Sequence, residues 1–148
     1  MANTDQAFWD MVEGRVPGPP ATEHLGWKCL HIDPNEGTIA VEFQPRGEFL
    51  NPAGNIQGGF IAAMLDDTMG PIVYATLGPG EFNTSLEFKI SFVRPAKLGT
   101  LVAKARIVHR GRSVAFAESE LRDADGQLLA TATGTMKIVR AQTGFGAS

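Results

Sequence analysis

The chain is poor in the residues that staple or metallate a small fold. Its 148 residues include one cysteine, Cys29, and three scattered histidines, His24, His31 and His109. A lone thiol excludes an internal disulfide framework and the scatter offers no metal-ligand spacing, so Cys29 reads as a structural or incidental thiol. Positive charge is also short: 13 Lys and Arg against 16 Asp and Glu leave a net charge of −3. That balance lacks the basic footprint of a duplex-binding protein, and no nucleic-acid partner is expected. The opening MANTDQAFWDMVEG carries acids and no basic leader before an apolar block. It does not read as a secretory signal, and a cytoplasmic protein is expected. No apolar run is long and uninterrupted enough to span a membrane. The length suits one domain, residues 1–148, able to bury a core of its own.

What is present is concentrated between Asn51 and Leu77, NPAGNIQGGFIAAMLDDTMGPIVYATL. From Phe60 onward nearly every residue is apolar, and a helix apolar all round belongs in a protein interior. Two acids, Asp66 and Asp67, sit inside this run, and a carboxylate carried into a core must be paired, neutralised or used. Asp66 reads either as the used one or as a helix carboxylate reaching a loop or solvent at a subunit seam. Asp67, ~100° further round the helix, cannot face the same pocket and is assigned to structure. Pro71 supplies no N–H to the Asp67 carbonyl, so a kink is expected just past the acids. Ahead of the run, Gln57-Gly58-Gly59 lets a ligand approach the backbone where a helix start aims its unpaired N–H groups. That combination makes an oxyanion site, although a glycine pair also permits tight packing of helix on sheet.

Around this helix the chain reads in order. Residues 4–13 place Phe8, Trp9 and Val12 at helical spacing behind a Thr4 or Asp5 cap, before Gly14 and the Pro17-Gly18-Pro19-Pro20 cluster stop them. Gly26 to Asp33 and Thr38 to Phe43 flank a turn-forming Asp33-Pro34-Asn35-Glu36-Gly37 and read as a hairpin. The buried helix is expected to end at Gly78-Pro79-Gly80, past which the period changes to two. Leu86, Phe88, Ile90 and Phe92 share one strand face, and Leu101, Ala103, Ala105 and Ile107 repeat the pattern. Strands over Ser113–Leu121 and Leu128–Val139 complete an antiparallel meander, and residues 141–148 are expected to fray. One apolar helix and about six antiparallel strands satisfy each other when the sheet curls round the helix, which is an α+β hot-dog architecture. Such a sheet keeps free edges, so a homodimer is the minimum expectation, with a dimer of dimers also allowed.

Three runs, N-P-A-G-N-I-Q-G-G-F-I-A-A-M-L-D, R-P-A-K-L-G and H-R-G-R-S-V-A-F, together resemble the hot-dog acyl-CoA thioesterases of the phenylacetate-degradation (PaaI) type. The similarity covers about Gly26 to Val139. The family pattern is an Asn, then His-Gly-Gly, then an acid nine residues after the His. Asn51, Gln57, Gly58 with Gly59, and Asp66 fill those places, and Ser85 matches a hydroxyl residue that positions water or the carboxylate. Gln57 departs from the family His: an amide can hold geometry by hydrogen bonds but cannot carry a proton. Read without the family, Asn51 also fits a turn cap and Ser85 an ordinary strand residue.

The resemblance implies hydrolysis of acyl-CoA or aryl-CoA thioesters, with no cofactor and no metal, coenzyme A being part of the substrate. Gly58 N–H would stabilise the oxyanion, and Asp66 would act as general base or as nucleophile. Arg110, Arg112 and Ser113 bracket Gly111 in a loop whose guanidinium forks suit coenzyme A phosphates, although such loops are usually merely solvated. Arg94 and Lys97 are weaker candidates for the same contact. A non-catalytic acyl-CoA sensor and a hot-dog dehydratase or hydratase stand as alternatives, the latter disfavoured by the missing His. A helix start at Gly58 puts Asp66 roughly 12 Å down the same axis, too far for one thioester carbon to meet both. Sites shared between antiparallel subunits are therefore expected, with Asn51, Gln57 and Gly58 from one and Asp66 and Ser85 from the other.

Overall fold

The computed structural model describes residues 2–141. Its elements are α1 (Gln6–Val12), α2 (Pro20–His24), β1 (Lys28–Asp33), β2 (Thr38–Phe43), α3 (Gly58–Tyr74), β3 (Glu81–Phe92), β4 (Leu101–Arg110), β5 (Val114–Arg122) and β6 (Leu128–Arg140). The tail expected to fray lies outside the described residues except for Ala141, whose N–H donates to the Gly80 carbonyl at 2.8 Å. Asp5 caps α1 by accepting from the N–H of Ala7 and Phe8. The proline cluster does more than stop α1: Pro20 opens α2 at a first-turn position, where a missing N–H costs nothing.

The six strands form one antiparallel sheet in the order β1-β2-β4-β5-β6-β3, with α3 packed on one face against β2 to β6. This is the hot-dog arrangement, open rather than closed into a barrel. The order corrects the expected meander, since only β4, β5 and β6 follow one another. Residues 93–100 are too long and too proline-marked for a tight hairpin, and they carry the chain from β3 on one edge to β4 beside β2. The length of β3 is instead matched by β6, from Glu81 opposite Arg140 to Phe92 opposite Ala130.

Beneath the middle of the helix the central strands carry mainly small residues. Met64, Leu65, Met69 and Ile72 are fully buried on α3, and beneath them the central strands present Ala103, Ala105, Ala115, Ala117, Ala130 and Ala132. At Gly134 a side chain would meet the Met69 thioether at 3.2–3.3 Å, so glycine is what lets the helix seat there. Leu101, Leu121 and Met136 fill the space toward the strand ends.

The helix runs unbroken through Pro71 to Tyr74, short of the expected stop at Gly78. Its last carbonyls are taken by other segments. Asn3 donates its backbone N–H to Ala75 O and its side-chain amide to Tyr74 O, both at 2.8 Å. The carbonyl that Pro71 leaves free, that of Asp67, accepts the Trp27 indole N–H at 2.8 Å. No described helix is long and apolar enough to cross a membrane.

Candidate active site

The start of α3 is held from behind and open in front. Gln57 donates its N–H to Phe49 O at 2.8 Å, and its carbonyl accepts from Phe60 N at 2.9 Å. Its side chain makes no capping bond and is exposed. The N–H groups of Gly58 and Gly59 have no acceptor among the described residues, as the first turn of a helix requires unless something outside it accepts. The glycines differ in their surroundings. A methyl at Gly58 would lie 3.1 Å from Phe92 Cζ, whereas nothing lies within 4 Å of one at Gly59.

Asn51 shapes the loop in front of this helix start. Its Oδ1 accepts from Ala53 N at 3.0 Å and from Asn55 N at 3.1 Å, while its own N–H donates to Asn55 O at 2.7 Å. Lys97 Nζ reaches Asn55 Oδ1 at 3.3 Å and ties the loop to the segment after β3. Asn51, Gly58 and Phe92 line a cleft of about 400 Å³.

Asp66 and Ser85 meet directly: Ser85 Oγ donates to Asp66 Oδ1 at 2.8 Å. A β-bulge makes that contact possible. Ser85 pairs with Met136 and Glu87 with the adjacent Thr135, so Leu86 has no partner in the ladder. The extra residue reverses the alternation. Before it Asn83 and Ser85 face α3, Asn83 donating to Gly70 O at 3.1 Å; after it Phe88 and Ile90 face the core. Leu86, grouped with Phe88 by strict alternation, is instead 57% exposed. An unbulged strand would have turned Ser85 away from Asp66.

Asp67 is on the other flank of α3. Its Oδ2 is buried with no hydrogen-bond partner among the described residues. Burial pushes this carboxyl up to about 6, eased by the Thr22 hydroxyl and added to by the neighbouring Asp66 charge. Trp27, which no sequence signal marked, holds the same residue through its carbonyl.

Arg110 and Arg112 have different surroundings. Arg110 is half-buried, donating Nε to Thr76 Oγ1 at 2.9 Å and Nη1 to the Gly111 carbonyl, which fastens the loop to the C-terminal end of α3. Arg112 and Ser113 are exposed, and neither side chain has a partner among the described residues. Arg94 is engaged with Leu128 O at 2.9 Å, and His109 lies against the Phe116 ring. A hollow of about 810 Å³ on the sheet face away from α3, between side chains such as Lys89, Lys104 and Glu118, holds none of the candidate residues. Among the described residues no three His, Cys, Asp or Glu groups are placed to hold a metal ion.

A family model described as the thioesterase superfamily matches residues 53–130. Acyl-coenzyme A thioesterase 13 of Homo sapiens is 30% identical over 142 residues, covering 93% of this chain and 99% of that protein. A phenylacetic acid degradation-related protein of Ralstonia eutropha JMP134 superposes with a TM-score of 0.83 at 39% identity, covering 88% of this chain and 98% of that one. A Streptococcus mutans UA159 protein, solved bound to acetyl CoA, superposes with a TM-score of 0.70 at 25% identity, covering 79% and 91%.

Proposed function

We propose that this chain, which belongs to the thioesterase superfamily and is a thioesterase, acts on acyl-CoA or aryl-CoA thioesters and releases free acid and coenzyme A. The observation that carries this reading is the Ser85–Asp66 hydrogen bond on the same helix whose first N–H groups, at Gly58 and Gly59, have no acceptor among the described residues. Acyl transfer needs both parts. Gly58 N–H and the helix start hold the thioester oxygen as it becomes negative, and one such donor is typically worth about 10²–10³ in rate. Asp66, oriented by Ser85, takes a proton from the attacking water while the carbon–sulfur bond breaks, and the proton leaves with the coenzyme A sulfur. A direct attack by Asp66, giving an anhydride that water then opens, uses the same contacts. Gln57 holds the helix start without carrying a proton, and Asn51 shapes the loop beside it.

The two halves belong to different subunits in this reading. Gly58 and Asp66 are separated by roughly 12 Å of helix axis. The helix and β3 run antiparallel side by side, with Gly70 by Asn83, Asp66 by Ser85 and Gly58 by Phe92. β3 is a sheet edge with Phe82 and Leu86 exposed, an edge suited to pairing with a second copy. A two-fold axis through the middle of such a pair brings the Gly58 end of one α3 to Asp66 of the other, giving two equivalent sites per dimer. Thr76, to which Arg110 is bonded, lies two residues past the last residue of α3. Arg110 thus holds the loop, and Arg112 with Ser113 supplies the contact to coenzyme A phosphates. The coenzyme in the Streptococcus mutans relative supports this class of substrate.

The test is thiol release from a panel of acyl-CoA and aryl-CoA thioesters. Turnover of at least one supports the reading, and saturable binding without any free thiol overturns it.

A further inference from the structure

The two glycines opening α3 are small for different reasons, and the difference draws attention to Phe92. The place a Gly58 side chain would take is filled by the Phe92 ring, whose Cζ and Cε1 would lie 3.1 and 3.3 Å from the added carbon. The space over Gly59 is open, so a group bound at the helix start has room there, with the ring at its side. Although it packs on Gly58, the Phe92 residue remains 57% exposed and lines the cleft with Ile56 and Ile61. An exposed aromatic ring beside two backbone N–H groups without acceptors among the described residues offers apolar area that those residues do not cover.

We propose that Phe92 is a specificity-determining wall of the acyl site: its ring, seated on Gly58, contacts the acyl or aryl group of the thioester whose oxygen the helix start holds. The inference rests on the thioesterase reading and adds to it which part of the substrate is read here. The ring is apolar and adjoins the carbonyl position, so it discriminates on the acyl side. Of the polar side chains lining the cleft, Asn51 and Asn55 are committed to the loop and Arg94 donates to the Leu128 carbonyl. Phe92 touches no proton in the reaction, so its removal acts through binding of the acyl group rather than through the chemical step.

The experiment compares wild type, Phe92→Leu and Phe92→Ala on acetyl-CoA, hexanoyl-CoA and phenylacetyl-CoA. Phe92→Ala should lower kcat/KM about 10-fold or more for the two larger acyl groups, chiefly through KM, and leave acetyl-CoA within about 2-fold. Phe92→Leu should fall between. Equal losses on all three thioesters would place the ring against the coenzyme instead, and no loss would remove it from the site; either result overturns the proposal. Binding keeps the question separate from turnover. In an Asp66→Asn background, calorimetry should show that Phe92→Ala weakens phenylacetyl-CoA but not coenzyme A. That outcome with an inactive wild type would sink the hydrolytic reading and leave the role of Phe92 standing. An unchanged phenylacetyl-CoA affinity alongside an active wild type would do the reverse.

Discussion

The two flanks of α3 carry adjacent acids and treat them in opposite ways. On the flank toward β3, Asp66 is partly exposed and bonded to a serine hydroxyl that a bulge has turned toward it. On the flank toward the N-terminal segment, Asp67 has one oxygen buried without a partner, and its carbonyl is covered by Trp27. The sheet edges follow suit. β1 is short and bulged, devices that blunt an edge, whereas β3 is long with apolar side chains exposed. One edge of the sheet is short and irregular, and the other is long and apolar. Burial alone would have chosen Asp67 as the functional acid. Access to an open edge, together with a positioned hydroxyl, chooses Asp66.

The strongest way to break this contrast is to neutralise each acid in turn. Asp66→Asn should lower turnover by at least about 10² with substrate binding similar, since it removes a group acting mainly in the transition state. Asp67→Asn should change turnover far less. Steady-state kinetics showing equally mild effects would dissolve the distinction between the flanks.

Whether the open edge is completed by a second copy is tested by co-refolding Asn51→Ala with Asp66→Ala, once each is shown to be inactive alone. Shared sites leave one intact site in every mixed dimer, about a quarter of wild-type activity under random pairing. A dead mixture with verified subunit exchange would mean that each site lies within one chain.

The closed flank makes a prediction about stability and pH. The Asp67 carboxyl goes from 3.8 to about 6 on folding, so the folded chain holds this proton more tightly than the unfolded one. The associated stability is fully present below pH 3.8 and is lost as pH rises through about 6. The loss is at most about 3 kcal/mol. Asp67→Asn should therefore be more stable than wild type above pH 6, with the gap closing toward pH 4. Urea unfolding of both proteins from pH 4 to 8 measures this, and a gap that does not vary with pH would show that the burial of Asp67 is relieved by solvent. On the same flank, Trp27→Phe leaves the Asp67 carbonyl unpaired and should cost about 1–3 kcal/mol.

The smallest effect is expected at Gln57. Its side chain makes no capping bond and is exposed, so Gln57→His should keep substantial turnover if the residue carries no proton. Complete inactivity of a well-folded Gln57→His variant, seen in the same thiol assay, would assign the amide a more specific role.

Much of this was legible in the chain. The apolar run from Phe60, the change to period two after Gly80 and the Gly58-Gly59 pair are local patterns, and local patterns report which face a residue presents to an interior. The stretch Leu86 to Phe92 marks where that stops. Alternation grouped Leu86 with Phe88 because nothing in the sequence announces a bulge, yet the bulge decides that Ser85 faces Asp66. The pairing of β3 with β6 rather than β4 was also hidden, because strand order depends on contacts distant in sequence.

By itself, then, the sequence determined the long elements, the buried helix, the opening glycines and the short list of acids, since propensity, periodicity and backbone freedom are properties of neighbouring residues. Only the tertiary structure decided which acid meets a hydroxyl, which carbonyl Trp27 takes from Pro71, which glycine the Phe92 ring fills and which edge stays open. Each of those depends on segments brought together across the sheet, where a single unpaired residue in a strand exchanges the inside for the outside.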